Sequence, residues 1–282
     1  MEYRKEKDKI IIKGLEDFNI EQILLCGQVF RFENKDNKWI VYSLNKRAII
    51  HEDRENNVVQ ISTNDVDYFE EYFDLKTSYK EIKDKLKSYN FDFLNKAIDK
   101  YSGIRILKQD IYETFFSFLI SSNNNIKRIQ KIIFLLCSKY GENKGEYNAF
   151  PNFETLKKLN KQDFLDIGLG YRADYFVKSL QNMEKDTLYN LKLKEKDKIK
   201  EDLMKFCGVG EKVADCVMLF GYGYSASFPC DVWIEKMYNK YFEQETNRKQ
   251  ISINLVKLFK ELSGYAQQYL FYYIKTDFMK KK

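Results

Sequence analysis

Phe206-Cys207-Gly208-Val209-Gly210-Glu211-Lys212-Val213-Ala214-Asp215-Cys216 is a turn set between two helical patterns. Upstream, Ile199, Leu203 and Phe206 keep helical spacing, and downstream Val213, Val217 and Phe220 do the same. Gly208 and Gly210 carry no Cβ, so the backbone there can take positive φ and approach another molecule closely. The turn runs into a helix N-terminus, where amides without intrahelical partners attract an anion. A bare GxG is an ordinary tight turn. With both flanks the segment reads as helix, hairpin, helix, and Gly208, Val209 and Gly210 become a candidate phosphate-binding hairpin.

Lys212 and Cys216 lie four residues apart and share one face of the second helix. In isolation such a lysine is a solvated surface residue. A nucleophilic role needs the neutral amine, and an unperturbed lysine is only roughly 0.04% neutral at pH 7. Burial and a nearby helix N-terminus both disfavour the ammonium form, which is how nucleophilic lysines arise. Pro229-Cys230-Asp231 follows, with Asp231 19 residues beyond Lys212. Asp231 precedes the amphipathic run Val232-Trp233-Ile234-Glu235-Lys236-Met237-Tyr238 and so reads as an N-cap. Capping amides would also hold that carboxylate ionised and fixed, so a structural and a catalytic role are compatible.

The string GVGEKVADC followed by PCDV resembles the helix-hairpin-helix DNA glycosylases with a Gly/Pro-Asp loop, and within them the bifunctional 8-oxoguanine DNA glycosylase/AP lyases. Four other blocks carry the same resemblance, in the family's order. They are Cys26-Gly27-Gln28-Val29-Phe30-Arg31, Ser121-Ser122-Asn123-Asn124-Asn125-Ile126-Lys127-Arg128-Ile129, Gly168-Leu169-Gly170-Tyr171-Arg172-Ala173 and Ala266-Gln267-Gln268-Tyr269-Leu270-Phe271.

The resemblance implies roles for these residues. Lys212 would attack the sugar C1′ of a flipped nucleotide, and Asp231 would stabilise the oxocarbenium-like charge. Gly27 would present its carbonyl to the N7 hydrogen that 8-oxoguanine has and guanine lacks. Cys216, Gln267 and Phe271 would complete base recognition, with Gln267 and Phe271 on one helix face. Asn123 would fill the vacated space in the duplex, Arg128 and Arg172 would serve the orphaned cytosine, and Tyr171 would wedge beside it. Double-stranded DNA containing 8-oxoguanine is the implied partner, and a monomer the implied state. No cofactor is implied, apart from a monovalent cation at the hairpin. Each residue also has a plain reading, as a loop glycine, a helix cap, a surface arginine or a core aromatic; only their shared order favours the functional set.

Two residues depart from the family's pattern. Cys207 stands where the hairpin usually has a proline, and Trp233 replaces the histidine common two residues after the aspartate. That histidine is expected to touch a phosphate; an indole N–H can still donate.

At 282 residues and 44% hydrophobic content, the chain can bury one large core or two modest ones. Its net charge of +6 is mild, but the distribution is uneven. Residues 1–108 hold 20 basic and 20 acidic side chains, so 28 of the 48 basic and 22 of the 42 acidic fall to residues 109–282. The whole surplus lies in the part carrying the hairpin, as a surface facing phosphates requires. The five cysteines, Cys26, Cys137, Cys207, Cys216 and Cys230, show no CxxC spacing, unlike the iron–sulfur loop of the endonuclease III relatives. The single His51 supports no zinc site, and no metal is expected. With no signal peptide and no apolar run of membrane length, a reducing cytoplasmic setting is expected.

Strands are predicted at Lys9–Lys13, Val29–Glu33, Lys38–Ser43, Arg47–Glu52 and Val58–Ser62, with Asn34-Lys35-Asp36-Asn37 as a hairpin loop. Helical patterns follow at about 64–100 and, from Asp110 onward, almost without break except near Gly141–Asn152 and Gly168–Tyr171. The pattern alone gives a β-rich part followed by an α-rich part. The resemblance makes this an α+β fold. A twisted antiparallel, TATA-binding-protein-like sheet domain with helices (residues 1–108) would lead into an α-helical helix-hairpin-helix glycosylase domain (residues 109–282), with the active cleft at their junction. Two other functions compete: the same fold acting on alkylated purines without a lysine nucleophile, and a non-catalytic helix-hairpin-helix DNA-binding module.

Overall fold

A computed structural model of the chain describes residues 1–279. Its N-terminal part is a six-stranded antiparallel sheet of β1 (Glu2–Lys5), β2 (Lys9–Lys13), β3 (Phe32–Lys35), β4 (Lys38–Ser43), β5 (Lys46–Asp53) and β6 (Val58–Ser62), in the order β1-β2-β6-β5-β4-β3. Alternation decides which face is covered. Ile10, Ile12, Val41, Ala48, Ile50, Val59 and Ile61 are all wholly buried, and their strand neighbours point the other way. The β3–β4 hairpin turns on Asp36 and Asn37, with φ of 52° and 58°, inside the closing pair Lys35–Lys38. Two such left-handed residues match the twist of the flanking strands.

The predicted β2, β4 and β6 coincide with the observed strands, and β5 runs one residue further at each end. The strand predicted from Val29 begins only at Phe32, because Val29 and Phe30 turn their side chains into the protein before pairing starts. Two elements were not predicted. β1 is a charged edge strand, Glu-Tyr-Arg-Lys, mostly exposed. The helix α1 (Ile20–Leu25) is six residues long and begins at Asn19, whose side chain accepts from the Gln22 amide.

Helices follow as α2 (Val66–Tyr72), α3 (Tyr79–Lys87), α4 (Asp92–Lys100), α5 (Ile111–Ser121), α6 (Ile126–Tyr140), α7 (Phe153–Lys158), α8 (Lys161–Asp166), α9 (Arg172–Gln181), α10 (Thr187–Leu191), α11 (Lys196–Leu203), α12 (Glu211–Phe220), α13 (Val232–Tyr241), α14 (Arg248–Phe259) and α15 (Ser263–Met279). Every residue of α5 is buried, and a helix apolar all round is a core helix. Helices α6, α9, α10 and α12 pack on it. The sheet encloses a second core with α1 and α2. In a third, α3 and α4 pack with α13, α14 and α15 around Cys26, Phe228 and Phe259, so residues on both sides of position 108 share it.

Buried polar side chains tie these parts together. The Arg31 guanidinium, 2% exposed, bonds to both Glu113 oxygens at 3.0 Å, joining the sheet to α5. Gln28, fully buried, donates to the carbonyls of Ile23 and Arg105 and accepts from the Leu107 amide at 2.8 Å. Gly27 is therefore held in a turn anchored on both sides.

Candidate active site

The hairpin forms as the glycine spacing requires. Gly208 has φ +85°, and a Cβ there would meet the Tyr175 ring at 2.3 Å. Glycine is needed both for the backbone angle and for the approach of that ring. Gly210 is the N-cap of α12, at φ −96° and ψ −177°, and no side chain caps the helix. The first-turn amides of α12 thus meet a cleft.

That cleft has a volume of ≈ 1040 Å³ and is lined by both hairpin glycines, Lys212, Asp231, Trp233, the Ser121–Asn124 turn and the Thr246–Lys249 segment. Lys212 is partly buried, with its amine 5.2 Å from the centroid of the Phe118 ring. Asp231 Oδ1 accepts from the amides of Trp233 (2.9 Å) and Ile234 (3.0 Å), so the carboxylate caps α13 and is fixed at the cleft wall. The capping role read from the sequence is formed here, at a carboxylate that lines the cleft. Burial pushes the Cys216 thiol up to about 11, against the pull of the Lys212 amine one turn away.

Gly27 and Phe271, 244 positions apart in sequence, touch: a Cβ on Gly27 would lie 3.1 Å from Phe271 Cε1. Gln267 is buried; its amide donates to the Pro229 carbonyl at 3.3 Å and accepts from Gln268 at 2.7 Å.

The residues expected at the duplex also converge. Asn123 is exposed at φ +47° in the turn between α5 and α6, and Tyr171, half exposed, reaches the Ser122 carbonyl at 3.4 Å. The exposed Arg128 donates to the Gly168 carbonyl at 3.2 Å. Arg172 stands apart. It is 2% exposed and donates to the carbonyls of Ser122 (2.8 and 2.5 Å), Asn123 (2.7 Å) and Leu169 (3.4 Å), while its guanidinium lies 4.4 Å from the Tyr171 ring centroid. In this form Arg172 braces the two loops against each other, and its donors are taken up by protein carbonyls.

Several residues of the site escaped sequence reasoning. Tyr175, which packs against both Gly208 and the Tyr171 ring, sits four residues after Tyr171, a spacing that could have marked it. Arg248 and Lys249 reach the cleft from the start of α14, where no motif signals them; they pair with Glu235 at 2.5 Å and Glu211 at 3.0 Å. Among the described residues, no cluster of three His, Cys, Asp or Glu side chains is arranged to hold a metal ion, and no helix is long and apolar enough to cross a membrane.

Comparison with known proteins places this geometry. The family profile described as 8-oxoguanine DNA glycosylase, N-terminal domain, matches residues 10–115. The 8-oxoguanine glycosylase/lyase of Clostridium acetobutylicum, solved on double-stranded DNA containing cytosine opposite 8-oxoguanine, is 34% identical, with 98% of each chain covered and a TM-score of 0.89. The N-glycosylase/DNA lyase of Saccharomyces cerevisiae is 29% identical over 82% of this chain and 70% of its own. The 3-methyladenine DNA-glycosylase of Archaeoglobus fulgidus, at 16% identity and a TM-score of 0.75, shares the fold. The chain belongs to the 8-oxoguanine DNA glycosylase/lyase family.

Proposed function

We propose that this protein excises 8-oxoguanine paired with cytosine from duplex DNA, through a Schiff base on Lys212, and then cleaves the strand by β-elimination. One observation carries the reading: Lys212 and Asp231 line the same cleft as an uncapped helix N-terminus and an asparagine-rich turn.

The α12 amides and the Gly208–Gly210 backbone bind a phosphate beside the lesion, and the hairpin carbonyls would hold any monovalent cation. The lesion nucleotide swings out, because its sugar carbon cannot be reached within the duplex. Gly27 reads the N7 hydrogen, Phe271 and Cys216 flank the base, and Gln267 meets its edge. Lys212 Nζ bonds to C1′ as the bond from C1′ to the base breaks, and the Asp231 carboxylate stabilises the positive charge at the sugar. Ring opening gives the Schiff base. Loss of a C2′ proton then expels the 3′ phosphate. Asn123 and Tyr171 hold the opened duplex, and Arg128 bonds the orphaned cytosine.

Borohydride trapping on an 8-oxoguanine duplex tests the mechanism. The wild type forms a covalent adduct and Lys212→Gln does not, while still binding the duplex. Base release without an adduct would make the enzyme monofunctional. Binding without turnover by the wild type would make it a DNA-binding module.

A further inference from the structure

Helix α15 carries an amine that the mechanism above does not use. Gln267, Phe271 and Lys275 follow one another at four-residue steps and share one helix face. The first two belong to the base-recognition set. The third places its Nζ 5.5 Å from the centroid of the Phe271 ring, the same ring that touches Gly27. Phe271 is therefore in contact with the glycine that reads the base and with a cation.

Lys275 is also withdrawn from water. Burial lowers its proton affinity, and the groups opposing that shift are Cys26 and Asp231. Cys26 is a buried thiol, itself pushed up to about 12 by desolvation, and is neutral at ordinary pH. Asp231 is then the anion that Lys275 feels. Lys275 is thus a partly buried amine beside a ring of the base-recognition set.

We propose that Lys275 is a positioning and charge-stabilising residue of the base pocket, whose ammonium fixes the Phe271 ring as a stacking platform and presents positive charge to the purine as it departs. This rests on the excision chemistry proposed above. When Lys212 Nζ bonds to C1′ and the bond from C1′ to N9 breaks, the electron pair of that bond goes to the purine. The purine anion takes a proton from water on release, and Lys275 keeps its own throughout. A fixed ammonium in a water-poor pocket lowers the energy of that anion, and a cation on an aromatic face is held by the ring quadrupole. An abasic site has no purine to stabilise, so the charge acts on base excision and not on strand cleavage.

The test is the ratio of two single-turnover rates on otherwise identical duplexes, one holding 8-oxoguanine and one a preformed abasic site. Lys275→Met keeps the aliphatic stem and removes the charge. The expected result is a fall of about tenfold in the excision-to-cleavage ratio, with Lys275→Arg restoring most of it. An unchanged ratio overturns the proposal, whether both rates hold or both fall together. Should Lys275→Met be insoluble, Lys275→Gln carries the same comparison. If instead the wild type fails to release 8-oxoguanine or to form a borohydride adduct, it is the proposed function that fails.

Discussion

Replacing Gly208 by alanine imposes two separable costs. The backbone stands at φ +85°, where an L side chain costs roughly 1–2 kcal/mol. The added methyl would lie 2.3, 2.5 and 2.8 Å from Cδ2, Cγ and Cε2 of Tyr175, and forcing such a ring aside costs about 1–3 kcal/mol. Together they amount to about 2–5 kcal/mol, or roughly 5–15 °C in Tm for a chain of this size. Gly210 supplies the control: its φ is −96° and no heavy atom lies within 4 Å of the place a methyl would take, so Gly210→Ala should cost under about 1 kcal/mol. Circular dichroism melts of both variants measure the difference. Adding Tyr175→Ala to Gly208→Ala removes the steric part and leaves the backbone part, giving a favourable coupling of about 1–3 kcal/mol in a double-mutant cycle. A Gly208→Ala protein melting within about 2 °C of wild type would refute the reasoning, as would purely additive costs in the cycle.

Three further outcomes are expected. Arg172→Ala deletes donors to the Ser122, Asn123 and Leu169 carbonyls and should cost about 2–4 kcal/mol of stability; hydrogen exchange should rise at both residues 122–125 and 168–171, and faster exchange at only one loop would count against a shared brace. Arg128→Ala should narrow the preference for cytosine over the other three opposing bases more than it slows cleavage of the cytosine pair, and an equal loss on all four would remove Arg128 from that role. Burial pushes the thiols of Cys26, Cys137 and Cys230 up to about 12 and that of Cys216 up to about 11, so each stays protonated at pH 8, since a thiolate forms only as pH rises toward the thiol's own pKa. A thiol reagent at that pH should label Cys207 alone in the native protein and all five cysteines in denaturant, and fast labelling of Cys216 would show that burial does not control its proton.

How far the site could be read in advance depended on where each residue gets its instructions. Gly208 and Asp231 are set by local backbone demands, a left-handed turn and a helix cap, and local demands leave marks in sequence. The sheet strands β2 and β6 alternate in burial, β4 is a short apolar run of β-formers, and all three were legible to the residue. β1 was not, because an edge strand keeps its charges, and α1 was not, because six residues barely make a period. Arg172 shows the limit most clearly. Its neighbour Tyr171 and its loop suggest a surface residue at the duplex, yet three carbonyls from two separate segments capture its guanidinium, and no spacing in the chain announces that meeting. Lys275 is similar: its place follows from how α15 lies against Gly27 and α13, which only tertiary packing decides.

The order of synthesis gives the packing of α15 a consequence for the cell. The proposed nucleophile Lys212 and its hairpin precede by some fifty residues the helix that supplies the wall facing Gly27. A nascent protein still attached to the ribosome would hold the proposed nucleophile without the surface proposed to recognise the base. On the proposed assignments, chemistry and discrimination would be completed together only when this late helix docks.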